Sequence, residues 1–351
     1  MSAQSLVRTP RDGMERRRRS WPRRILRAAT GLVLVLGLLA VLGAGAQALV
    51  QHRNASEHPA PGRLVDVGGH RLHLHAEGPR GTGPTVVLEA GMGTPSTAWA
   101  WVQGMVADDV RVISYDRAGI GRSDDRDGPV DPAAEVRDLR TALDAIGEEG
   151  PYVLVGHSLG GLFARTFAAT YPEDTAGVVL VDPSHEDQYT DLPPELQATV
   201  DSASTGVLLM KVASWLGVTL LYNPAEALTV GMPEEAAASY AAWSASPRAA
   251  SAMAAEFEAF DVIADGARDR ILGDLPVRIL SADTSDASDD PSQTALLERQ
   301  LVLHEKLTGL SSDARRTVVH GATHFTVLTD RDHAATVAAT VLDLIREVRG
   351  S

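Results

Sequence analysis

Ser158 lies in a sequence setting that suits nucleophilic catalysis. It is the centre of Gly156-His157-Ser158-Leu159-Gly160, between the apolar run 152–155 and a stretch with helical spacing. Glycines two residues on either side allow a sharp turn with a strained serine backbone, because a Cβ there would collide with the neighbouring chain. A helix that begins just after the serine adds N–H groups that favour negative charge beside the hydroxyl. The strand-turn-helix pattern therefore predicts Ser158 as a nucleophile.

A serine hydroxyl is a weak nucleophile until a base takes its proton, and a histidine near the end of the chain can act as that base. His324 follows the apolar run 316–319 and precedes the final helical pattern 334–348. A loop between these two elements can carry it to Ser158, so we predict His324 as the base. His157 is expected to point away from its neighbour Ser158, and His320 to end the strand as a structural residue.

The third member of such a triad is an acid that orients the histidine, and several aspartates are candidates. Asp283 is the preferred one because it follows the predicted strand 277–281 and precedes His324 in the chain. Asp286, in the same loop, is an alternative. Asp182 is another alternative, since it ends the preceding strand.

Acyl transfer also requires donors for the developing oxyanion, usually two backbone N–H groups. Leu159, directly after the nucleophile, is predicted to supply one. The glycine-rich stretch Glu89-Ala90-Gly91-Met92-Gly93 follows the apolar run 85–88 and permits close backbone approach. We predict that the Met92 N–H is the second donor.

These residues must be positioned by alternating strands and helices, which is the pattern of a mostly parallel sheet. The predicted strands cover residues 64–67, 71–76, 85–88, 110–115, 152–155, 177–181, 277–281 and 316–319, and the predicted helices cover 131–146, 159–169 and 334–348. Between residues 184 and 274 only helical patterns appear, which indicates a helical lid inserted before the penultimate strand. We expect most of its large apolar residues to form the lid core, and the rest to face a pocket.

Over residues 63–350 the chain resembles the α/β-hydrolase superfamily. Tyr115-Asp-Arg-Ala-Gly-Ile-Gly-Arg-Ser-Asp124 is similar to the D-x-x-G-x-G-x-S turn of that family, and Gly156-His-Ser-Leu-Gly-Gly161 to its nucleophile elbow. The resemblance implies an α/β fold with an eight-stranded, mostly parallel sheet flanked by helices. Ala90-Gly91 stands where the family usually has His-Gly. Serine at the nucleophile position argues against epoxide opening and halide removal, for which family members use aspartate.

The N-terminal region has the pattern of a membrane segment. Residues 1–27 hold nine arginines against two acidic residues, and residues 28–51 carry no charge. This apolar run is long enough for one bilayer crossing. The positive-inside rule then places the domain at 63–351, after a linker at 52–62, outside the cytoplasm. We expect a single-pass signal anchor in the cell membrane; the alternative is a secreted protein, cleaved near Ala46-Gln47-Ala48.

Composition excludes several classes of function. The chain has no cysteine, so disulfides and thiolate sites are ruled out. After the leader it carries 23 basic and 44 acidic residues, which disfavours nucleic acid as a partner. His70, His73 and His75 have no matching carboxylate motif and are expected to be exposed strand residues rather than metal ligands.

We therefore predict a serine hydrolase, without a cofactor, that acts on carboxylic esters of hydrophobic, acyl or lipid-like small molecules. An acyltransferase or an amidase using the same residues is an alternative. A ligand-binding module that kept the fold without catalysis is an alternative of another class.

Overall fold

A computed structural model describes residues 12–57, 61–81, 83–284 and 290–350. Its eight strands form one sheet in the order β1-β2-β4-β3-β5-β6-β7-β8, in which β1 pairs antiparallel with β2, β2 antiparallel with β4, and the other pairs are parallel. The strands are β1 (Arg63–Asp66), β2 (Arg71–Glu77), β3 (Thr85–Glu89), β4 (Val112–Asp116), β5 (Tyr152–His157), β6 (Thr175–Val181), β7 (Val277–Ala282) and β8 (Ala314–Val319). The predicted fold class and all eight strands are confirmed.

The described residues also form eleven α-helices. They are α1 (Asp12–Glu57), α2 (Ala100–Ala107), α3 (Pro132–Ala145), α4 (Gly160–Thr170), α5 (Pro194–Trp215), α6 (Glu234–Ser244), α7 (Pro247–Glu258), α8 (Phe260–Ala267), α9 (Pro291–Lys306), α10 (Thr326–Thr329) and α11 (Arg331–Gly350). Apolar residues of α2 and α11 form one core with the sheet, and those of α3 and α4 form another core with it. Every residue of the central strand β5 is buried, as expected for a parallel strand covered on both faces.

The helices α5 to α8 lie between β6 and β7, in the interval where the sequence predicts the lid. The expectation that most of its large apolar residues form a core is wrong. Tyr240 is buried, but the side chains of Leu208, Leu209, Trp215, Leu221 and Tyr222 are exposed. The helix α5 packs on α7, α9 and α1, and these contacts leave its Leu208, Leu209 and Trp215 side chains exposed.

The helix α1 runs through the apolar segment and beyond it. Within it, the stretch Arg23–Asn54 is long and apolar enough to cross a membrane, and its most apolar 18 residues have a mean hydropathy of 2.4. The helix continues to Glu57, so the first half of the linker predicted at 52–62 is helical. Residues 58–60 of that linker, and residues 1–11 of the leader, lie outside the described part of the chain.

Candidate active site

Ser158 sits on the tight turn between β5 and α4. Its backbone φ is +53°, a left-handed conformation that costs free energy for a residue other than glycine. A Cβ on Gly156 would lie 2.5 Å from the Gly160 carbonyl oxygen, and one on Gly160 would lie 2.4 Å from the Glu89 carbonyl oxygen. Both glycines are therefore required by close backbone contacts, and the turn presents Ser158 at the carboxyl edge of the sheet.

His324 reaches this serine from the loop between β8 and α10. Its Nε2 atom is 3.0 Å from Ser158 Oγ. This distance is within hydrogen-bond range, so the imidazole can take the hydroxyl proton.

Asp182 accepts a hydrogen bond from the other side of this histidine. Its Oδ2 is 2.5 Å from His324 Nδ1, and its Oδ1 accepts from the Ala282 N–H at 2.9 Å. Burial alone would raise the pKa of Asp182, but the hydrogen bond and the charge of His324 outweigh burial and lower that pKa. An ionised carboxylate at this position holds the proton of the neutral imidazole on Nδ1, which leaves Nε2 free to act as the base.

The structure does not bring the preferred acid of the sequence analysis, Asp283, to His324. Its carboxylate instead accepts from His320 Nδ1 at 2.7 Å and from the Gly321 N–H at 2.8 Å. Asp182 directly follows β6, the strand next to β5 and so to Ser158, and its φ is +42°. Asp283 comes after β7, on the side nearer β8. The other alternative, Asp286, lies outside the described residues.

His157 contacts the backbone of His324. Its Nε2 is 2.9 Å from the His324 carbonyl oxygen, and the two rings are 4.7 Å apart. Burial, together with the nearby His324, lowers the pKa of His157 to about 3. The ring is therefore neutral near pH 7, and since a carbonyl only accepts, its proton is on Nε2.

This buried neutral histidine makes stability depend on pH. Between pH 6.5 and about 3 the unfolded chain binds a proton at His157 that the folded chain does not, so folding weakens as pH falls through that window. Glutamine does not titrate, so the unfolding free energy of His157→Gln should fall less steeply with decreasing pH than that of the original chain. We expect the two slopes to differ by about 1.4 kcal/mol per pH unit. Urea unfolding of the full chain in detergent at pH 6, 5 and 4 measures this. If the unfolding free energies of the two proteins fell equally with pH, a neutral buried His157 in the folded chain would be contradicted.

The two predicted oxyanion donors border the serine. Leu159 is the next residue along the turn, and Met92 lies with Ser158 in the walls of two cavities. A Cβ on Gly91 would lie 3.3 Å from Ser158 Cβ, so the loop after β3 runs directly against Ser158. The N–H groups of Met92 and Leu159 donate no hydrogen bond to other described residues. Both groups can therefore bind a substrate oxygen.

A buried arginine that the sequence analysis missed holds this loop in place. Arg117 donates to the carbonyl oxygens of Ala90 and Gly91 at 2.6 and 2.7 Å. It also pairs with Glu89 at 2.6 Å and with Glu256, on the lid helix α7, at 2.7 Å. The partners are up to 139 residues apart in the chain, and no local pattern connects them.

The Glu256 carboxylate joins the lid to the oxyanion loop, because it accepts from both Arg117 and the Gly93 N–H, the latter at 2.7 Å. We expect Glu256→Ala to lower the unfolding free energy by about 3 to 5 kcal/mol, as breaking a buried ion pair does. Glu258→Ala, on an exposed position of the same helix, should change it by about 0.5 kcal/mol or less. Urea unfolding compares the two, and equal losses would contradict the role of Glu256.

Helix α9, which the sequence analysis did not predict, completes the surroundings of Asp182. Gln300 donates to Asp182 Oδ2 at 3.3 Å. His304 Nε2 donates to the Pro183 carbonyl oxygen at 2.8 Å, and its Nδ1 is 3.0 Å from Ser281 Oγ. The side chains of α9 thus hold the turn that carries Asp182.

Two cavities meet at Ser158. One has a volume of about 500 Å³ and lies toward α9, with Tyr189, Leu296 and Leu297 in its wall. The other has a volume of about 410 Å³ and lies beneath α6 and α7, with Leu228 and Met253 in its wall. Ser158, His324, Met92 and Phe325 line both. A substrate can therefore extend from the serine in two directions.

The three histidines of the opening strands have separate partners. His73 is buried, with its ring nitrogens 3.1 Å from Asp116 and from the Pro61 carbonyl oxygen. His70 and His75 are partly buried, so the expectation that the three histidines are exposed is wrong. His70 lies 3.4 Å from Asp138, and His75 lies 3.3 Å from Glu77. Among the described residues, no group of three or more metal-ligating side chains is found.

Solved structures with a similar fold include several hydrolases. A thermophilic esterase from Thermogutta terrifontis is 21% identical, with a TM-score of 0.54, over 82% of this chain and 98% of the esterase. A mutant of an epoxide hydrolase from Bacillus megaterium is 14% identical, with a TM-score of 0.61, over 81% of this chain and all of that one. At these identities the likeness establishes the fold.

Relatives in sequence match a shorter stretch. The protein YqjL of Bacillus subtilis strain 168 is 34% identical over 126 residues, which are 35% of this chain and 50% of YqjL. An AB hydrolase superfamily protein of Gibberella zeae is 29% identical over 129 residues, or 40% of its length. The chain thus spans half or less of these relatives. A family model described as the alpha/beta hydrolase family matches residues 86–340. The chain belongs to the alpha/beta hydrolase family.

Proposed function

We propose that this protein is a serine hydrolase that cleaves carboxylic esters with two sizeable hydrophobic groups. The proposal rests on one observation, a hydrogen-bonded chain from Asp182 through His324 to Ser158. Asp182 Oδ2 is 2.5 Å from His324 Nδ1, and His324 Nε2 is 3.0 Å from Ser158 Oγ. This hydrogen-bonded chain ends at the junction of two largely apolar cavities.

In the first half of the reaction, His324 Nε2 takes the proton of Ser158 Oγ as the oxygen attacks the ester carbonyl carbon. The carbonyl oxygen becomes an oxyanion, and the N–H groups of Met92 and Leu159 bind it. The tetrahedral intermediate collapses when the ester C–O bond breaks. The imidazolium of His324 donates its proton to the leaving alcohol, and the acyl group stays on Ser158.

In the second half, water replaces the alcohol. His324 takes a proton from this water as its oxygen attacks the acyl carbon, and the Ser158 ester bond breaks with return of the proton to Oγ. Asp182 stays ionised throughout and stabilises the imidazolium through Nδ1. Its lowered pKa supports this role, because the carboxylate remains charged well below neutral pH.

The two cavities support a substrate class. A compact ester such as an acetate would leave most of their volume unfilled, whereas apolar acyl and alcohol groups can bury surface on both sides of Ser158. We infer that binding energy comes from both groups of the ester.

The proposal includes a membrane anchor. The helix segment Arg23–Asn54 has the length and composition of a span, and arginines precede it. Two of its last residues bind the lid: Gln47 donates to the Ala245 carbonyl oxygen and Asn54 to the Ala242 carbonyl oxygen, both at 3.2 Å. These contacts favour a helix that is retained in the mature protein, with the hydrolase domain outside the cytoplasm.

Ester hydrolysis by the full chain in detergent tests the function. The substrates are p-nitrophenyl and naphthyl esters with acyl chains from two to sixteen carbons, so that acyl and alcohol groups vary independently. We expect kcat/KM to rise with the size of each group, and a fluorophosphonate probe to block the activity at one label per chain. A folded sample that binds these esters without cleaving them would favour a non-catalytic ligand-binding module. Transfer to an added alcohol that exceeds hydrolysis would favour an acyltransferase.

A further inference from the structure

The helix α1 consists of two parts with different surroundings. In residues 23–42 almost every side chain is exposed on the protein. About 20 helical residues rise about 30 Å, the thickness of the hydrocarbon core of a bilayer. Arg23, Arg24 and Arg27 lie at one end of this part, where their long side chains can reach the lipid headgroups. With these arginines at the headgroups, this part is long enough to cross a membrane.

The second part, residues 43–54, packs against the lid through one face. Gly43, Gln47, Val50 and Asn54 are spaced at helical intervals of three and four, and each is at least partly covered. A Cβ on Gly43 would lie 2.1 Å from the Leu216 carbonyl oxygen, so backbone meets backbone at this contact. The end of the bare part thus coincides with the C-terminal end of α5. The lid is attached where α1 leaves the bilayer.

Large apolar side chains surround this attachment. Trp215, Leu216 and Val218 are exposed, and the exposed fractions of Leu221 and Tyr222 are 90% and 74%. Leu208, Leu209 and Val212 on α5 are also exposed. An exposed apolar surface of this extent marks an interaction site. We define residues 208–222 as the apolar rim of the lid.

The charge of the rim differs from that of the rest of the domain. From residue 202 to residue 225 there is no acidic side chain, and Lys211 is the one charged residue. The chain after the leader is otherwise strongly acidic, and an anionic membrane surface would repel it. Tryptophan and tyrosine, present here as Trp215 and Tyr222, are the residues that concentrate at the membrane interface. Position, apolarity and charge all fit the bilayer as the occupant of this surface.

We propose that the apolar rim of the lid docks into the outer leaflet of the bilayer that α1 crosses. The rim adjoins the cavity beneath α6 and α7, because Met210, Thr219 and Asn223 contribute to the wall of that cavity. An amphiphilic ester dissolved in the outer leaflet then has a short path to Ser158. This inference rests on the proposed anchor and hydrolase function and specifies where the substrate comes from.

The absence of cysteine from the sequence permits a site-specific test. Leu221→Cys and Ile271→Cys are made in the full chain, labelled with the environment-sensitive fluorophore NBD and placed in phospholipid nanodiscs. Ile271 is 68% exposed and lies between α8 and β7, at the amino end of the parallel strands, whereas Ser158 and the cavities lie at their carboxyl end, so it is a matched control. We expect spin-labelled phospholipid to quench the label at 221 at least about threefold more strongly than the label at 271.

The outcomes separate the docking from the anchor. If the chain co-purifies with nanodiscs and the two labels are quenched equally, the docking proposal is wrong and the anchor stands. A chain that does not co-purify with nanodiscs overturns both the anchor and the docking. In lipid-free detergent, the alternative outcome is that a second copy of the chain covers residue 221 and shields its label from solvent. That result would also count against the bilayer as the partner of the apolar rim.

A kinetic experiment tests the substrate route. The double variant Leu221→Ser and Tyr222→Ser should lower hydrolysis of a long-chain ester embedded in vesicles by about tenfold. Hydrolysis of a short, water-soluble p-nitrophenyl ester should stay unchanged, which also shows that the variant is folded. Equal rates on the embedded ester for the variant and the original chain would overturn the route through the leaflet.

Discussion

Replacing Ser158 by alanine is expected to lower kcat/KM for ester hydrolysis by about 10⁴- to 10⁶-fold. The variant keeps both cavities and the oxyanion donors but has no oxygen to form the acyl-enzyme. Binding of the ester should therefore change little, and the loss should appear in kcat. Initial rates with a medium-chain p-nitrophenyl ester measure the effect, with product inhibition used to compare affinities.

Two controls make this result specific. Fluorophosphonate labelling should disappear in Ser158→Ala, because the proposed nucleophile is gone. The unfolding midpoint should stay close to that of the original chain, since the side chain adds one hydrogen bond at a strained position. Continued labelling, or a rate within tenfold of the original, would exclude Ser158 as the nucleophile.

The second large effect concerns the acid. We expect Asp182→Asn to lower kcat by about 10⁴-fold. An asparagine amide can donate to His324 Nδ1, which places the imidazole proton on Nε2, facing Ser158. The base is then blocked, although the volume of the side chain is conserved. The variant should also lose the stabilisation of the imidazolium that forms during the reaction.

Asp283→Asn is the matched control. Asp283 also contacts a histidine, His320, at 2.7 Å, but that imidazole has no serine beyond it in the described structure. Its kcat should stay within about threefold of the original, as expected for an exposed ion pair. A large loss in Asp283→Asn with little loss in Asp182→Asn would show that Asp283 is the catalytic acid. It would refute Asp182 in that role.

The sequence alone was sufficient for those parts of the protein that depend on neighbouring residues. The strands appear as short apolar runs, and helices such as α3 and α11 appear as periodic patterns with an N-cap or a charged face. The turn at Ser158 was predictable because the apolar run, both glycines and the helical spacing lie within one short stretch of sequence. Gly156 is required by a contact with Gly160, close by in the chain, whereas the contact that requires Gly160 is with the distant Glu89 and exists only in the fold. The choice of His324 followed from chain order, since the last loop of this topology returns to the same edge of the sheet.

Only the tertiary structure shows which residues far apart in the chain pair with each other, and which side chains are buried. Asp182 and Asp283 both follow parallel strands, and only the arrangement of β6, β7 and β8 decides which carboxylate meets His324. The ion pairs of Arg117 with Glu89 and Glu256 join three distant segments, so no spacing in the chain reveals them. Likewise, composition shows that the lid is apolar, but only the packing of α5 and α1 shows which of its side chains stay exposed. Local conformation is set by near neighbours and is therefore written in the sequence, whereas partners and exposure depend on which segments the completed fold brings together.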